Sequence, residues 1–565
     1  KTKDARNALL NHGGLKIYTS LNLNLQQQAQ QALSSYIPAT MPGIDLGGAD
    51  VSVELNTGRV VMAVQNRPYN TTNKPQADST QTAYTFDFNH GGSSGFQTGS
   101  TYKAFSLVEW LKEGHALNDV VVAPSVRQQI PQSLYHASCA EPGPGGGPWD
   151  VGNDSGGEGG AMTVMDATKH SVNSAFALMG QRLDLCGIRN DAAALGAKPA
   201  YPWEQTTNDK GVVVDEVDAN GKKVPSYLHD NVSSILGTNF IAPVDMAVAY
   251  AGIANGGKSC SAVYIDKVID SNNKSIPVPQ TTCTQAIDPK VAAGVTYALQ
   301  NGPLLPGGTG AEANPGDGVP IMGKTGTTDA YGQNWLVTST TKVANAVWVG
   351  NVQETQVAPN VWQNIDFRKL YFPGPAGGKA GDHVKFYVDK PILQNLDAAY
   401  GGDQFAAPDQ MSINGPRTAV PDLTGKSPQE AQTVLQGLGF TYQAGGDQDS
   451  DQPQGTVAST NPPSGTQLSR GSVVQVFTSK GNQVKVPNVV GSSLNDAVKT
   501  ITDAGLKPQA SGKGLAPDAK VSAQEPDADS AVSPGDTVKL TVTPAAPGTS
   551  SKDGGRNPPV KNDGH

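Results

Sequence analysis

A nucleophile and a candidate base stand three positions apart in the string Ser100-Thr101-Tyr102-Lys103. A serine hydroxyl attacks a carbonyl carbon only when a neighbouring base removes its proton. At this spacing the two side chains share one face of a helix, and Lys103 becomes a base if burial and nearby positive charge lower its pKa. Because the same pattern also fits a capped helix with a solvated lysine, the string alone is weak evidence for catalysis.

Two further strings supply what acyl transfer from a peptide requires. Ser171-Val172-Asn173 falls in a polar break between two predicted helices, where small side chains can point into a cleft. Lys324-Thr325-Gly326-Thr327-Thr328 ends a predicted strand. In that string Lys324 offers positive charge to an anionic substrate, the threonine hydroxyls can bind a carboxylate, and Gly326 allows a substrate backbone to lie close.

The elements that must position these strings occur in the order strands, helices, strands. We predict a strand and a polar helix within residues 1–45, a hairpin at 50–66 and a helix at 101–113. Further predicted elements are helices at 161–168, 173–185, 242–254 and 288–301 and strands at 319–326, 334–340 and 343–350. This order is typical of an α+β domain in which both ends of the chain contribute strands to one antiparallel sheet.

An internal repeat occupies the C-terminal part of the chain. The stretch at 420–440 (VPDLTGKSPQEAQTVLQGLGF) aligns with that at 486–506 (VPNVVGSSLNDAVKTITDAGL). Each copy predicts an extended segment, a helix and two or three strands, so we place two small α+β units at 418–480 and 484–544. The last residues, 545–565, are rich in Pro, Gly, Ser and charged residues, which predicts disorder.

The composition limits the kinds of partner and cofactor. The formal net charge of -9 argues against a nucleic acid as the main partner. None of the 4 cysteines forms a CxxC pair or lies near paired histidines, so we predict neither a metal site nor a cofactor. No apolar run is long enough to span a membrane, and no signal peptide is evident. Since the chain opens at Lys1 rather than at a methionine, we expect a fragment whose N-terminal membrane anchor is missing.

The even number of cysteines fits two disulfides formed in an oxidising compartment. Cys260 and Cys283 flank a segment that is typical of a hairpin, so we favour this pair, which leaves Cys139 with Cys186. Four buried free thiols are the alternative.

Taken together, the three strings carry a resemblance to a known family. Ser-x-x-Lys, Ser-x-Asn and Lys-Thr-Gly, in this order, are the signature of penicillin-binding proteins and serine β-lactamases. Residues 14–33 resemble the linker that precedes the transpeptidase domain in bifunctional, class A penicillin-binding proteins, and 249–257 and 322–337 resemble strings of the same family. The paired repeats resemble PASTA domains, which occur on such enzymes and on wall-sensing kinases of Gram-positive bacteria.

The resemblance implies a division of the chain. A linker region at 1–45 would precede a transpeptidase domain at 46–415, in which an antiparallel sheet carries helices on both faces beside a helical subdomain. Two PASTA repeats would follow at 418–480 and 484–544.

The resemblance also implies a role for each site residue. Ser100 would attack the peptidoglycan stem peptide, and Lys103 would take and return its proton. Ser171 and Asn173 would relay protons and hold the substrate amide, while Lys324 would tune the charge. The backbone N–H groups of Ser100 and Thr327 would form the oxyanion hole. The substrate-binding residues would be Thr325, Gly326, Thr327 and Thr328.

The implied activity is that of a D,D-transpeptidase, which cross-links stem peptides through a serine acyl-enzyme and is acylated by β-lactams. A catalytically weak sensor of penicillin or muropeptides and a D,D-carboxypeptidase are the alternatives. The implied setting is the extracytoplasmic envelope of a Gram-positive, actinobacterial cell, with a membrane-anchored protein whose PASTA repeats bind muropeptides.

Two departures from the family concern the rigidity of the serine loop rather than the chemistry. The family carries proline two positions before the serine and directly after the lysine, where this chain has Thr98 and Ala104. In addition, the segment 136–160 is unusually rich in glycine. We interpret it as an insertion in preference to a lid.

Overall fold

The computed structural model describes residues 2–72, 74, 76, 78–139, 146–154, 157–208, 212–353, 355–358, 361–363, 365–372, 374, 378–512 and 515–543. The chain divides into two compact units: residues 1–417 with 469–472, and the remainder. Each unit is described by itself. The predicted disordered tail at 545–565 and part of the Gly-rich segment lie outside the described residues.

The helices and strands of the first unit extend from the N-terminus to residue 414. Its α-helices are α1 (Lys3–His12), α2 (Leu23–Tyr36), α3 (Phe88–Gly91), α4 (Lys103–Lys112), α5 (Val164–His170), α6 (Asn173–Gly180), α7 (Leu185–Ala194), α8 (Pro243–Ala254), α9 (Pro289–Gln300), α10 (Val384–Tyr400) and α11 (Gln410–Asn414). Its strands are β1 (Lys16–Thr19), β2 (Leu46–Glu54), β3 (Val60–Gln65), β4 (Phe96–Gln97), β5 (Val120–Ala123), β6 (Gln128–Ile130), β7 (Trp149–Val151), β8 (Gly160–Thr163), β9 (Gln205–Thr207), β10 (Val213–Asp215), β11 (Phe240–Ile241), β12 (Lys258–Cys260), β13 (Ile265–Ile269), β14 (Ser275–Ile276), β15 (Cys283–Gln285), β16 (Met322–Thr327), β17 (Gln333–Ser339), β18 (Val343–Asn351), β19 (Thr355–Ala358), β20 (Val361–Gln363), β21 (Tyr371–Phe372) and β22 (Lys379–Ala380).

A five-stranded antiparallel sheet in the order β16-β17-β18-β2-β3 forms the centre of this unit. Strands from distant parts of the chain meet in it, because β18 pairs along its whole length with β2. Both of these strands are buried on two faces, which explains why β18 has an almost continuous apolar sequence.

Helices cover both faces of this sheet. The larger core lies on one face, where α8 packs against Ala49, Val51 and Val53 of β2. A second core lies on the other face, where α2 and α10 pack against side chains such as Val61 and Val347. The predicted α+β class, with an antiparallel sheet between two helical layers, is therefore confirmed.

The helical subdomain is built around α4, which contacts α6, α7 and α9. Every residue of α4 except Lys112 is buried. A helix that is enclosed on all sides is apolar around its circumference, and α4 departs from this rule at Lys103, Ser106 and Glu109. That buried amine is the first sign that the helix carries chemistry.

The segment that we predicted to be a linker, residues 1–45, is packed into the first unit. α2 places Leu25, Ala29 and Leu33 in the second core, at the spacing that aligns side chains on one helix face. β1 pairs with β13. Residues 23–36 therefore pack against the sheet of the first unit.

In the second unit, each sequence repeat forms one helix and a three-stranded sheet with its own apolar core. In each sheet one neighbour of the central strand is parallel and the other antiparallel. Ser427 forms a capping box with Glu430 at the start of the first helix. The elements are β23 (Thr418–Ala419), α12 (Pro428–Gly437), β24 (Thr441–Gln448), β25 (Val457–Asn461), β26 (Gln467–Leu468), β27 (Val473–Ser479), β28 (Val484–Lys485), α13 (Leu494–Asp503), β29 (Lys507–Gly512), β30 (Lys520–Glu525), β31 (Ala531–Val532) and β32 (Thr537–Thr543).

Two disulfides join the four cysteines. Cys260 and Cys283 are directly opposite each other in β12 and β15 and are bonded, and Cys139 is bonded to Cys186. This is the pairing that we favoured from the sequence. No helix within the described ranges combines the length and the apolarity needed to cross a bilayer.

Candidate active site

Ser100 lies in a 3₁₀ turn, Gly99–Tyr102, that leads directly into α4. The predicted helix at 101–113 therefore begins as a tighter turn around the candidate nucleophile. Gly99 has a positive φ of 52°, and a Cβ at this position would lie 2.5 Å from the carbonyl oxygen of Thr327. The serine turn thus lies in close contact with β16, which carries the lysine-threonine-glycine string.

Hydrogen bonds to another segment hold the residues that precede Ser100. The Thr98 N–H donates to the Asn239 carbonyl at 3.2 Å, and the Gly99 N–H donates to the Gly237 carbonyl at 2.9 Å. The Thr98 hydroxyl also donates to the Gly237 carbonyl, at 3.4 Å. A proline in place of Thr98 would have no N–H to donate. Fully buried Thr98 therefore fixes the loop through hydrogen bonds, where the family uses proline.

Ser171 forms the predicted break between two helices. α5 ends at His170, Ser171 follows with φ 58° and ψ 35°, and α6 begins at Asn173. The left-handed region is uncommon for a serine, and such strain persists where the surrounding structure enforces it, often at functional sites. This turn directs both the carbonyl and the hydroxyl oxygen of Ser171 at α4.

The amine of Lys103 lies among oxygen atoms of this turn. Its Nζ donates to Asn173 Oδ1 at 2.6 Å and to the Ser171 carbonyl at 2.7 Å, and Ser171 Oγ lies 3.3 Å away. Burial, and then the charge of Lys324, hold the pKa of Lys103 well below its usual value. A neutral amine can give its two N–H groups to the two carbonyl oxygens and keep its lone pair for a hydroxyl proton.

The hydroxyl of Ser100 stands outside this network. Ser100 is half-buried, and its Oγ takes part in none of the hydrogen bonds among the described residues. The contact that we predicted between Ser100 and Lys103 is thus not a hydrogen bond here, and the N–H groups of the amine bond to Asn173 and Ser171. Catalytic hydrogen bonds of this kind often tighten only when substrate binds.

Lys324 reaches the same serine from β16. Its fully buried Nζ donates to Ser171 Oγ at 2.7 Å and to the Thr325 carbonyl at 3.0 Å. Burial, and then the charge of Lys385, lower the pKa of Lys324 to about 7. Ser171 Oγ therefore lies between Lys103 and Lys324, and residues of the three strings meet at this hydroxyl.

The hydroxyls of the threonine string have different surroundings. Thr325 Oγ1 is 2.7 Å from Thr309 Oγ1, so one hydroxyl orients the other. Thr328 Oγ1 accepts from the Gln333 N–H at 3.2 Å and helps to close the turn between β16 and β17. Thr327 is partly exposed at the edge of the sheet. Of the three hydroxyls predicted to bind substrate, that of Thr328 is thus already engaged within the turn.

Gly326 is required by a contact that the sequence did not reveal. A Cβ at this position would lie 2.4 Å from the Thr98 carbonyl oxygen and 3.0 Å from Thr101 Cγ2. The close packing of the serine turn therefore accounts for the need for glycine at this position, which we predicted to serve the substrate backbone.

Part of the Gly-rich segment braces the Asn173 turn. The Gly152 carbonyl accepts from Asn173 Nδ2 at 3.0 Å, and Asn153 Oδ1 accepts from the Ser174 N–H at 2.9 Å. These bonds fix the amide that holds Lys103. Gly152 and Asn153 are thus site residues that the composition of the segment did not indicate.

Lys385 is a further buried lysine that sequence reasoning missed. It lies on α10, is 3% exposed, and donates from Nζ to Asn334 Oδ1 at 3.5 Å. A signal for it exists, because Lys385 and Asp389 continue at helical spacing the buried stripe of Leu393 and Leu396. A lysine in that stripe stands at a core position.

Comparisons with known proteins agree with this geometry. The family model described as penicillin binding protein transpeptidase domain matches residues 48–364, and the PASTA domain model matches 418–480 and 484–544. Penicillin-binding protein 1A of Clostridium acetobutylicum is 26% identical over 418 residues, which are 70% of this chain and 46% of that protein. Penicillin-binding protein 1A of Mycolicibacterium smegmatis is 26% identical over 371 residues, 64% of this chain and 40% of that protein. The chain spans less than half the length of these relatives.

Solved structures show the same fold. PonA1 from Mycobacterium tuberculosis matches with a TM-score of 0.50, and its complex with penicillin V with a TM-score of 0.52, both at 22% identity. These matches cover 72% and 73% of this chain and 93% of each PonA1 chain. Since the transpeptidase family model matches more than half of the sequence, the chain belongs to the penicillin-binding protein transpeptidase family and carries two PASTA domains after its transpeptidase domain.

Proposed function

We propose that this protein is a serine D,D-transpeptidase that cross-links peptidoglycan stem peptides through an acyl-enzyme on Ser100. The observation that carries the proposal is the hydroxyl of Ser171, which lies within hydrogen-bond distance of both Lys103 and Lys324. This hydroxyl connects two amines with lowered pKa values beside the turn that holds Ser100. Such an arrangement moves protons to and from a serine hydroxyl.

In the first half-reaction, Ser100 Oγ attacks the carbonyl carbon that precedes the terminal residue of a donor stem peptide. Its proton passes to the lone pair of Lys103. The negative oxygen would accept from the backbone N–H groups of Ser100 and Thr327, which the contact at Gly99 brings together. The C–N bond then breaks, an ester forms on Ser100, and the terminal residue leaves with the proton that Lys103 returns through Ser171.

In the second half-reaction, the amine of an acceptor stem peptide attacks the ester carbonyl. The amine gives one proton to the Lys103–Ser171 relay, the ester C–O bond breaks, and Ser100 regains its proton. Before acylation, the terminal carboxylate of the donor would meet the hydroxyls of Thr325 and Thr327 and the charge of Lys324, and it departs with the terminal residue. Attack by water in place of the amine would make the protein a D,D-carboxypeptidase, and penicillin would acylate the same serine.

The setting follows from the family, whose members act at the cell envelope. We propose that the full-length protein is anchored in the membrane of a Gram-positive, actinobacterial cell and that its PASTA domains bind muropeptides. Co-sedimentation of the second unit with purified wall fragments tests the binding, and fractionation of the source cells tests the anchoring. Recovery of the second unit only in the supernatant would contradict the proposed binding of muropeptides.

Labelling with a fluorescent penicillin tests the nucleophile. We expect wild-type protein to form a covalent adduct that survives denaturation, and Ser100→Ala to form none, because only a serine oxygen at this position can carry the acyl group. Ser106→Ala is the matched control, since Ser106 is a buried serine of α4 whose hydroxyl has no described partner. Persistent labelling of Ser100→Ala would refute the assignment.

Product analysis then separates the two enzymatic outcomes. Wild-type protein is incubated with a donor stem peptide and an acceptor amine, and the products are resolved by mass spectrometry. A cross-linked product supports the transpeptidase, whereas release of the terminal residue without cross-linking supports the carboxypeptidase. A stable penicillin adduct without either product would leave a sensor.

A further inference from the structure

The loop that follows α9 connects the end of α5 with β16. The Thr309 N–H donates to the Lys169 carbonyl at 3.3 Å, and Lys169 stands two residues before Ser171. On the other side, Thr309 Oγ1 is 2.7 Å from Thr325 Oγ1. Thr309 therefore joins the segment that carries Ser171 to the strand that carries Thr325.

Backbone and packing contacts fix this loop next to Thr325. The Gly310 N–H donates to the Pro303 carbonyl at 2.9 Å, and Leu304, between these two residues, is 1% exposed in the second core. A Cβ at Gly310 would lie 3.1 Å from Thr325 Cγ2. The backbone beside Thr309 is thus packed against Thr325 itself, which holds the two hydroxyls together.

The hydroxyl of Thr325 depends on Thr309 for its hydrogen bond. Thr325 is 6% exposed, and among the described residues Thr309 is the one partner of its Oγ1. A buried hydroxyl that loses its partner is costly, because water does not readily replace the bond. The pair therefore consists of one buried threonine and one exposed threonine that holds it.

The chemistry of a carboxylate decides which of the two hydroxyls donates. A carboxylate only accepts hydrogen bonds, whereas each hydroxyl has one proton and two lone pairs. For Thr325 to bind a substrate carboxylate, its proton must point at the carboxylate, and its lone pair must accept the proton of Thr309. Donation by Thr309 also polarises the O–H bond of Thr325, which strengthens the bond to the anion.

We propose that Thr309 is a positioning residue, which orients the Thr325 hydroxyl as a hydrogen-bond donor to the carboxylate of a stem peptide or a β-lactam. This inference rests on the proposed function and adds a residue outside the three strings. The substrates concerned carry a free carboxylate on the nitrogen side of the scissile amide. Loss of the Thr309 hydroxyl weakens the recognition of that negative charge and leaves the chemistry at Ser100 intact.

The test compares a penicillin with its methyl ester, which presents a neutral carbonyl in place of the carboxylate. The second-order rate of acylation by each compound is measured by mass spectrometry of the intact protein. Thr309→Val removes the hydroxyl and keeps the shape, Thr309→Ser keeps the hydroxyl, and Thr282→Val changes an exposed threonine between β14 and β15. Thr325→Val, alone and combined with Thr309→Val, completes a double-mutant cycle.

We expect Thr309→Val to lower the rate with the penicillin by roughly 5- to 20-fold, because an oriented hydrogen bond to a charged group is lost. The rate with the methyl ester should change by less than about twofold, since a neutral carbonyl gains less from the oriented proton. Thr309→Ser and Thr282→Val should behave as the wild type. In the Thr325→Val background, Thr309→Val should have no further effect.

The outcomes separate this inference from the proposed function. An equal loss of rate with both compounds would overturn the role of Thr309, because the effect would then be structural, and so would an unchanged rate with the penicillin. A Thr309→Ser variant as slow as Thr309→Val, or a further loss in the Thr325→Val background, would also overturn it. Wild-type protein that neither compound acylates on Ser100 would contradict the proposed function itself.

Discussion

Ser171 combines two features that rarely occur together in one residue. Its left-handed backbone turns its carbonyl oxygen towards Lys103, and its hydroxyl lies between Lys103 and Lys324. Two buried ammonium groups at this separation repel each other strongly, so the pair favours a state in which one amine is neutral. The geometry therefore supports a single mobile proton shared by two lysines and one hydroxyl.

Replacing Lys103 by methionine tests this sharing at the level of one residue. We expect Lys103→Met to slow acylation by fluorescent penicillin by roughly two to four orders of magnitude, the usual contribution of a general base. The fold should persist, because methionine fits a buried helical position. Stopped-flow fluorescence gives the rate, and Lys290→Met, at an exposed lysine of α9, is the control. An unchanged rate would show that another group acts as the general base.

At the scale of elements, α10 brings an unusual set of polar groups onto the sheet. Asp389 Oδ1 accepts from Asn345 Nδ2 at 2.6 Å, and Asn345 Oδ1 accepts from Ser52 at 2.5 Å. Asp50 lies beside them on β2, fully buried, and neither of its carboxylate oxygens has a described partner. Burial raises the pKa of both carboxyls, to about 8 for Asp389, and the charge of Asp389 raises that of Asp50 further.

This pair makes the stability of the first unit depend on pH. A carboxyl whose pKa is higher in the folded than in the unfolded state holds its proton more tightly when folded. The contribution of this carboxyl to the free energy of unfolding is therefore greatest below about pH 4 and falls as the pH rises towards 8. Asp389→Asn should flatten this dependence by about 2 to 4 kcal/mol between acidic and mildly alkaline solution. Urea unfolding at several pH values measures it.

The control for this experiment is Asp403→Asn, at an exposed carboxylate that follows α10. It should leave the pH dependence as in the wild type. If Asp389→Asn behaves in the same way as this control, the pKa of Asp389 is not raised in the folded protein.

The elements themselves were largely predictable from sequence, whereas their contacts were not. The helix predicted at 242–254 is α8 at Pro243–Ala254, and the strand predicted at 343–350 is β18 at Val343–Asn351, because apolar patterns define both. α1 has no such pattern and was missed. Thr309 and Lys385 form hydrogen bonds with residues that are distant in the sequence, and no local pattern predicts a partner that tertiary folding supplies.

At the scale of the whole molecule, the two units have separate cores. The first PASTA domain closes around residues such as Leu435 and Val474, and the second around Ile501 and Leu540. No side chain of these two cores belongs to the two large cores of the transpeptidase domain. A change in a PASTA core should therefore affect the stability of that domain without altering the acylation chemistry.

Leu435→Ala tests this independence. Removing a fully buried leucine should cost the first PASTA domain about 2 to 5 kcal/mol. Calorimetry should show the transition of this domain at lower temperature, while the transpeptidase transition and the rate of penicillin labelling stay as in the wild type. Leu438→Ala, at the exposed end of the same helix, is the control. A parallel fall in labelling rate would show that the units depend on each other.

Gly237 packs directly against the backbone of the serine turn. It has a φ of 91°, and a Cβ there would meet the Gly99 carbonyl oxygen at 1.9 Å. A side chain at position 237 therefore requires the backbone of Gly99 to move, and a side chain at position 99 requires the backbone of Thr327 to move. A search for resistance substitutions that considers only residues in contact with the inhibitor would miss position 237. A side chain there would nevertheless displace the backbone next to Ser100.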